Sequence, residues 1–345
     1  MNTMVMKSDL QTETRPIRLG FLGVGWIGRN RMQAVLDTGV AQAVAIADPN
    51  PAMLEEACRL APQARVVDGL DAMLREDLDG VVIATPNARH AAESIRVLES
   101  GRAVFCQKPL GRTEQEVQAV VDAARSADRL LAVDLSYRFT EGMQKIRDLI
   151  RSGALGSIYA ADLTFHNAYG PDKPWFYEKS LSGGGCVIDL GVHLVDAALW
   201  SLGFPAASAV SSRLMSGGQA ISGDSDKIED YAVATIDLES GATVRLACSW
   251  RLPAGQDAVI SAAFYGTEGG AQLTNINGSF YDFRAEHLKG TTREELAGPP
   301  DAWGGRAAAD WARRLSQGAT YDAEADRLVD VANVLDRIYG RGLGV

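Results

Sequence analysis

Only four cysteines occur in the 345 residues, Cys58, Cys106, Cys186 and Cys248, and none forms a C-x-x-C pair. That scarcity argues against a disulfide framework or a cysteine zinc site, and for reduced thiols in a cytoplasmic protein. Histidines are equally few: His90, His166, His193 and His287. A metal centre would have to gather ligands from distant segments, so none is expected. Basic charge is also short. Lysines and arginines number 34 against 44 acidic residues, a net charge of −10 with a pI near 5.0. Nucleic acid and anionic membranes demand a basic surface, so neither is expected as a partner. A locally basic pocket for an anionic cofactor remains compatible. No unbroken apolar run approaches the ~20 residues of a membrane span. Met1 to Arg15 is polar, mixed in charge and without the apolar core of a signal peptide, and reads as a frayed, disordered leader.

What the chain has is ordinary globular composition, 46% hydrophobic and 23% charged, and length enough for two domains. Its most informative stretch runs from Ile17 to Val35. An apolar strand enters a loop carrying Gly23, Gly25 and Gly28, and a helix-like segment leaves it. G-x-G-x-x-G between strand and helix is the setting a dinucleotide pyrophosphate needs. Gly23 permits the tight turn, Gly25 lets backbone approach the phosphates, and Gly28 lets helix pack on strand. Trp26 and Ile27 then fall at the helix start, where free N–H groups and the positive dipole end face an anion. A second apolar run, Ala43 to Ala47, ends in Asp48, 20 residues after Gly28. A carboxylate there accepts hydrogen bonds from ribose hydroxyls and repels a 2′-phosphate, which favours NAD over NADP.

From Ile17 to about Ser136, strand-like runs (Ile17–Leu22, Ala43–Ala47, Gly80–Thr85, Ala103–Cys106, Leu130–Val133) alternate with helix-like segments. The alternation predicts a doubly wound parallel sheet over 16–136. Ligands in such sheets sit beyond the carboxyl ends of the strands, which draws attention to Asp48, Thr85-Pro86-Asn87 and Gln107-Lys108-Pro109. Beyond residue 150 the pattern changes to strands joined by turns such as Glu239-Ser240-Gly241. In Thr243–Trp250, Val244, Leu246, Cys248 and Trp250 share one face, while Thr243, Arg245, Ala247 and Ser249 share the other. That predicts an antiparallel sheet with one face on a core and the other toward solvent or a second subunit. Two helices, Gly305–Gln317 and Ala323–Tyr339, close the chain.

Gly183 to Asp196 is the second informative stretch. Three glycines predict a flexible turn into a helix on which Asp189 and His193, at i and i+4, share a face, with Asp196 nearby. Most intervening residues are apolar, and polar groups on a buried helix need a reason. A histidine beside a carboxylate can take a proton near neutral pH. Lys108 lies at the carboxyl edge of the first sheet.

The glycine fingerprint, Thr85-Pro86-Asn87 with His90, Gln107-Lys108-Pro109 and Asp189-x-x-x-His193, in that order, resemble the glucose–fructose oxidoreductase / inositol dehydrogenase / MocA family of NAD(P)-dependent oxidoreductases. The resemblance spans Ile17 to the final helix. It implies a Rossmann domain followed by an α+β domain, 137–345, with a large, open, mostly antiparallel sheet, and a final helix able to pack back on the first domain. By the same resemblance Lys108, Asp189 and His193 are the catalytic set. His166 lies on the strand that supplies a substrate-binding side chain in some members. Gln107 departs from the family pattern, which has Glu there.

The expected activity is hydride transfer between NAD and a secondary alcohol of a sugar, inositol or related polyol. His193 or Lys108 would take the hydroxyl proton, with Asp189 orienting His193. Trp175, with Phe176 and Tyr177 in the loop before the glycine turn, would either cover the substrate or plug the interface between the domains. A transient-oxidation elimination or hydrolysis, and a non-catalytic NAD-binding role, are the alternatives. A homodimer or homotetramer through the second sheet is expected.

Overall fold

The computed structural model describes residues 15–341, so the leader expected at Met1 to Arg15 lies outside the described residues except for Arg15. The apolar runs of the first half fold as strands β1 (Ile17–Leu22), β2 (Ala41–Ala47), β3 (Arg65–Val66), β4 (Gly80–Ile83), β5 (Ala103–Cys106) and β6 (Leu131–Val133). They pair in parallel in the order β3-β2-β1-β4-β5-β6. Every residue of β4 and β5 is buried, as a sheet covered on both faces requires. The covering helices are α1 (Trp26–Leu36), α2 (Pro51–Leu60), α3 (Gly69–Met73), α4 (Asn87–Glu99) and α5 (Glu114–Ala127). Thr113 caps α5 by accepting from the Glu116 N–H at 3.2 Å. Strand order reverses between β1 and β4, so a crevice opens there at the carboxyl ends of the strands.

Helix α6 (Glu141–Arg151) leads into a nine-stranded mixed sheet: β7 (Ile158–Asn167), β8 (Ala207–Ser216), β9 (Gln219–Ile221), β10 (Tyr231–Leu238), β11 (Thr243–Ser249), β12 (Ala258–Gly266), β13 (Gly270–Asn275), β14 (Phe283–Lys289) and β15 (Thr292–Ala297). Its order is β15-β14-β13-β12-β7-β11-β10-β8-β9, antiparallel except for β7 beside β11. Leu163, Phe165, Val244 and Leu246 point to the core, while Asp162 and Arg245 pair on the open face at 2.7 Å. The core face is covered by α6 and by α8 (Val192–Leu202), which follows the short helix α7 (Lys179–Ser182) and the glycine turn. By length and mean hydropathy alone the run Lys179–Leu202 would suit a membrane span, although Asp189, His193 and Asp196 interrupt it; 83% of its most apolar window is buried inside the fold.

The chain then returns to the first sheet. Helix α9 (Arg306–Ser316) packs on β1 and β5, with Trp311 fully buried 5.8 Å from Phe105. Helix α10 (Arg327–Ile338) bridges α5 and β8, and its Asp336 accepts from the Glu114 N–H at 2.8 Å. Helix α9 thus covers the first sheet although it follows the second in sequence.

Candidate active site

The carboxyl ends of β1, β4, β5 and β6 face the glycine turn before α8 across a cavity of about 810 Å³. Each wall has a sequence cause. Gly23 sits at φ +84, where an added Cβ would lie 2.5 Å from the Ala84 carbonyl oxygen. A Cβ on Gly28 would overlap the Gly23 carbonyl. Gly25 has open space around its missing Cβ, and no side chain caps α1. The first N–H groups of α1, at Trp26 and Ile27 on the cavity wall, thus have no side-chain cap. That cradle fits a dinucleotide pyrophosphate. Asp48 accepts from the Val24 and Asn50 N–H groups, both at 2.8 Å, so it braces the glycine loop. Each carboxylate oxygen keeps a second lone pair for a ribose hydroxyl.

The loops after β4 and β5 are fastened together. The ring nitrogens of buried His90 lie 2.7 Å from the Pro109 carbonyl oxygen and 2.6 Å from that of Thr85. Asn87 donates to the Ser182 carbonyl at 2.9 Å and so reaches the second half of the chain. Lys108 Nζ crosses the same gap. It donates to Asp189 Oδ1 and to the Asp189 carbonyl, both at 2.7 Å.

The segment around Asp189 corrects the sequence expectation. Val187–Gly191 is a π-helical turn, which offsets the i, i+4 stacking of Asp189 on His193. Asp189 pairs with Lys108 and accepts from Trp250 Nε1 at 3.1 Å; it does not orient His193. Asp196 turns away to a buried ion pair with Arg138. The glycines before the turn serve close packing more than flexibility. Only Gly183 has a positive φ, and Cβ atoms on Gly184 and Gly185 would overlap the Tyr339 hydroxyl and the Glu229 carbonyl. The buried Glu229 carboxylate fixes the turn. It accepts from the Gly185 and Val187 N–H groups at 2.8 and 3.1 Å and from Tyr339 Oη at 2.6 Å.

His193 opens on the cavity, with Tyr137 edge-on at 5.0 Å and no hydrogen-bond partner among the described residues. Burial, then the charges of Lys108 and Arg31, hold its pKa well below the ordinary histidine value. His193 is therefore a neutral imidazole in the cavity that Lys108 also lines.

Trp175 reaches the cavity, stacked 3.9 Å on Phe176. His166 does not. Period-two alternation along β7 sends Phe165 inward and His166 to the other face, 2.7 Å from Ser249 Oγ and stacked on Tyr231. The cavity residues that the sequence did not single out include Tyr281, Trp303, Arg31, Asp134, Ser136 and Tyr137. The last three follow β6 at its carboxyl end, so the rule that singled out Lys108 points to them as well. Buried Asp134 accepts from Arg31 at 2.6 Å, Gln107 at 2.5 Å and Ser136 at 2.6 Å. This explains Gln107: an amide donates to Asp134, whereas glutamate would repel it. Cys186 and Cys248, distant in sequence, come within 3.8 Å as free thiols behind Asp189.

Residues 17–135 match the oxidoreductase family model with an NAD-binding Rossmann fold, and residues 143–272 match the GFO/IDH/MocA C-terminal domain. The chain is 30% identical to D-glucoside 3-dehydrogenase of Escherichia coli K12, covering 78% of this chain and 79% of that one. It is 29% identical to inositol 2-dehydrogenase of Rhizobium meliloti strain 1021, covering 82% and 79%. In fold it resembles a levoglucosan dehydrogenase solved with NADH and levoglucosan, with a TM-score of 0.79, 23% identity and coverage of 94% and 97%. Matched by one family's models in both halves and by a relative at 30% identity, the chain belongs to the GFO/IDH/MocA oxidoreductase family.

Proposed function

We propose that this protein is an NAD-dependent dehydrogenase of a secondary alcohol on a sugar, inositol or related polyol. The observation that carries the reading is the meeting of three groups in one cavity: the uncapped glycine cradle, the Lys108–Asp189 pair and neutral His193. Gly23, Gly25, Trp26, Ile27, Gly28, Asp48 and Thr85–Asn87 are the cofactor-binding set. NAD, when bound, supplies the hydride acceptor. Two of the three Lys108 ammonium protons go to Asp189, and the third is free for the reacting oxygen, where it stabilises developing negative charge. His193 takes the hydroxyl proton. Asp189 holds the ammonium in place. Trp175 lies against the substrate.

The test is a polyol screen that follows reduced-cofactor absorbance, with Lys108→Met and His193→Gln in parallel. Each substitution lowers kcat by roughly 10²–10⁴-fold, the usual worth of a positioned acid or base, while NAD still binds. Full activity in both variants overturns the assignment, and product release without net NADH points to elimination or hydrolysis instead. A second copy of the chain is the occupant we assign to the open face of the nine-stranded sheet, around Asp162 and Arg245, testable by light scattering. A cytoplasmic setting belongs to the same reading. Two unbonded thiols 3.8 Å apart suit a reducing compartment.

A further inference from the structure

Away from the reacting groups the cavity is walled by rings rather than by free charge. One row starts at His193. Tyr137 lies 5.0 Å from it, Trp303 5.2 Å beyond Tyr137, and Tyr281 6.3 Å beyond Trp303. Tyr281 is 54% exposed, so this row reaches solvent. A second row is backed by Trp250, a buried ring behind the cavity wall whose indole donates to Asp189. Phe176 stands edge-on to Trp250 at 6.3 Å, and Trp175 stacks on Phe176 at 3.9 Å. Of these rings Tyr281 is exposed, Tyr137, Trp175 and Phe176 are part-exposed on the cavity wall, and Trp303 backs them from the core, an aromatic lining suited to an apolar ligand group.

The lining cations tell the complementary story. Arg31 is bound to Asp134 at 2.6 Å and Lys108 to Asp189 at 2.7 Å. Lys173 lies at the exposed rim, 3.5 Å from Asp172. Every lysine and arginine on the wall already faces a carboxylate. A phosphate or carboxylate on the substrate would find no lysine or arginine there without a carboxylate beside it, and desolvating it would be costly.

We infer that the substrate is an uncharged glycoside carrying a flat apolar aglycone, its carbinol at Lys108 and His193 and its aglycone along the aromatic rows. The inference rests on the dehydrogenase reading for the position of the carbinol. The aglycone's share of binding comes from burying apolar area and from ring-on-ring contact. A single compact polyol would leave the outer rings unused.

The experiment is calorimetric titration of the full chain, saturated with NADH, with phenyl and methyl β-D-glucopyranoside, the same pair of galactosides, and glucose 6-phosphate. The phenyl member of at least one pair binds on the order of ten-fold tighter than its methyl partner. Glucose 6-phosphate binds no tighter than the methyl glucoside. Tyr281→Ala, at an exposed position that leaves the core intact, and Trp303→Ala narrow the phenyl advantage by several-fold. Equal binding within both pairs, no binding by any glycoside, or preference for the phosphate overturns the inference. Parallel assays with NAD separate the two claims. NADH formation with no phenyl advantage leaves the dehydrogenase reading standing and removes the aromatic slot. A phenyl advantage without NADH formation from any member does the reverse.

Discussion

At the scale of single residues, the site works by keeping unlike groups apart. His193 and Lys108 occupy one cavity, yet only Lys108 touches a carboxylate. The pH consequence has a definite sign. Because burial and two neighbouring cations hold the His193 pKa well below 6.5, the imidazole stays neutral as pH falls through 6.5. The rate of alcohol oxidation, read as kcat/KM, therefore keeps its value through that range and declines only at lower pH; a half-maximal point at or above 6.5 contradicts the role given to His193. Gln107 offers a second residue-scale prediction. Its amide donates to Asp134 at 2.5 Å, so Gln107→Glu sets two buried carboxylates against each other. The cost is about 1–3 kcal/mol of stability, read by chemical denaturation. Asp134→Asn added to Gln107→Glu recovers a large part of it. The sequence displayed Gln107 as a departure, but its partner lay 27 positions away and only the fold joins them.

Among elements, legibility tracked periodicity. β11 shows its alternation openly, and the same period of two runs through β7, β10 and β12. Short β14 and β15 were missed because charged residues fill their open faces and Phe283, Ala285 and Leu296 are few apolar markers. Helix α6 was missed although Met143, Ile146 and Leu149 repeat at helical spacing after a capping Thr140. The turn before α8 was misread for a deeper reason. No residue pattern announces a π-helical turn, since its cause is tertiary: the Glu229 carboxylate drawing in the Gly185 and Val187 N–H groups. Gly185→Ala tests that cause. A methyl would overlap the Glu229 carbonyl, costing about 1–3 kcal/mol and displacing Asp189 from Lys108. Activity then falls more than stability, and a variant with unchanged kcat counts against the turn's role in placing Asp189.

On the scale of the whole molecule, the two sheets are parts of one packed body rather than beads on a string. Lys108 and Asn87 reach across to Asp189 and Ser182, and α10 ties α5 to β8. The proposed catalytic set thus exists only when both halves are folded together. Trp311, from late in the chain, fills the first sheet's core beside Phe105. Trp311→Ala removes about 3–5 kcal/mol, the usual cost of emptying a buried tryptophan site. The loss is expected in thermal melting and in NAD affinity together, although Trp311 does not line the cavity.

That placement of α9 also bears on how the protein is made. Synthesis runs from the N-terminus, so β1 to β6 leave the ribosome with one flank of their core uncovered. The flank stays open until Trp311 emerges, by which time the whole second sheet has been produced. The nucleotide-binding half is therefore the first to be translated and among the last to be finished.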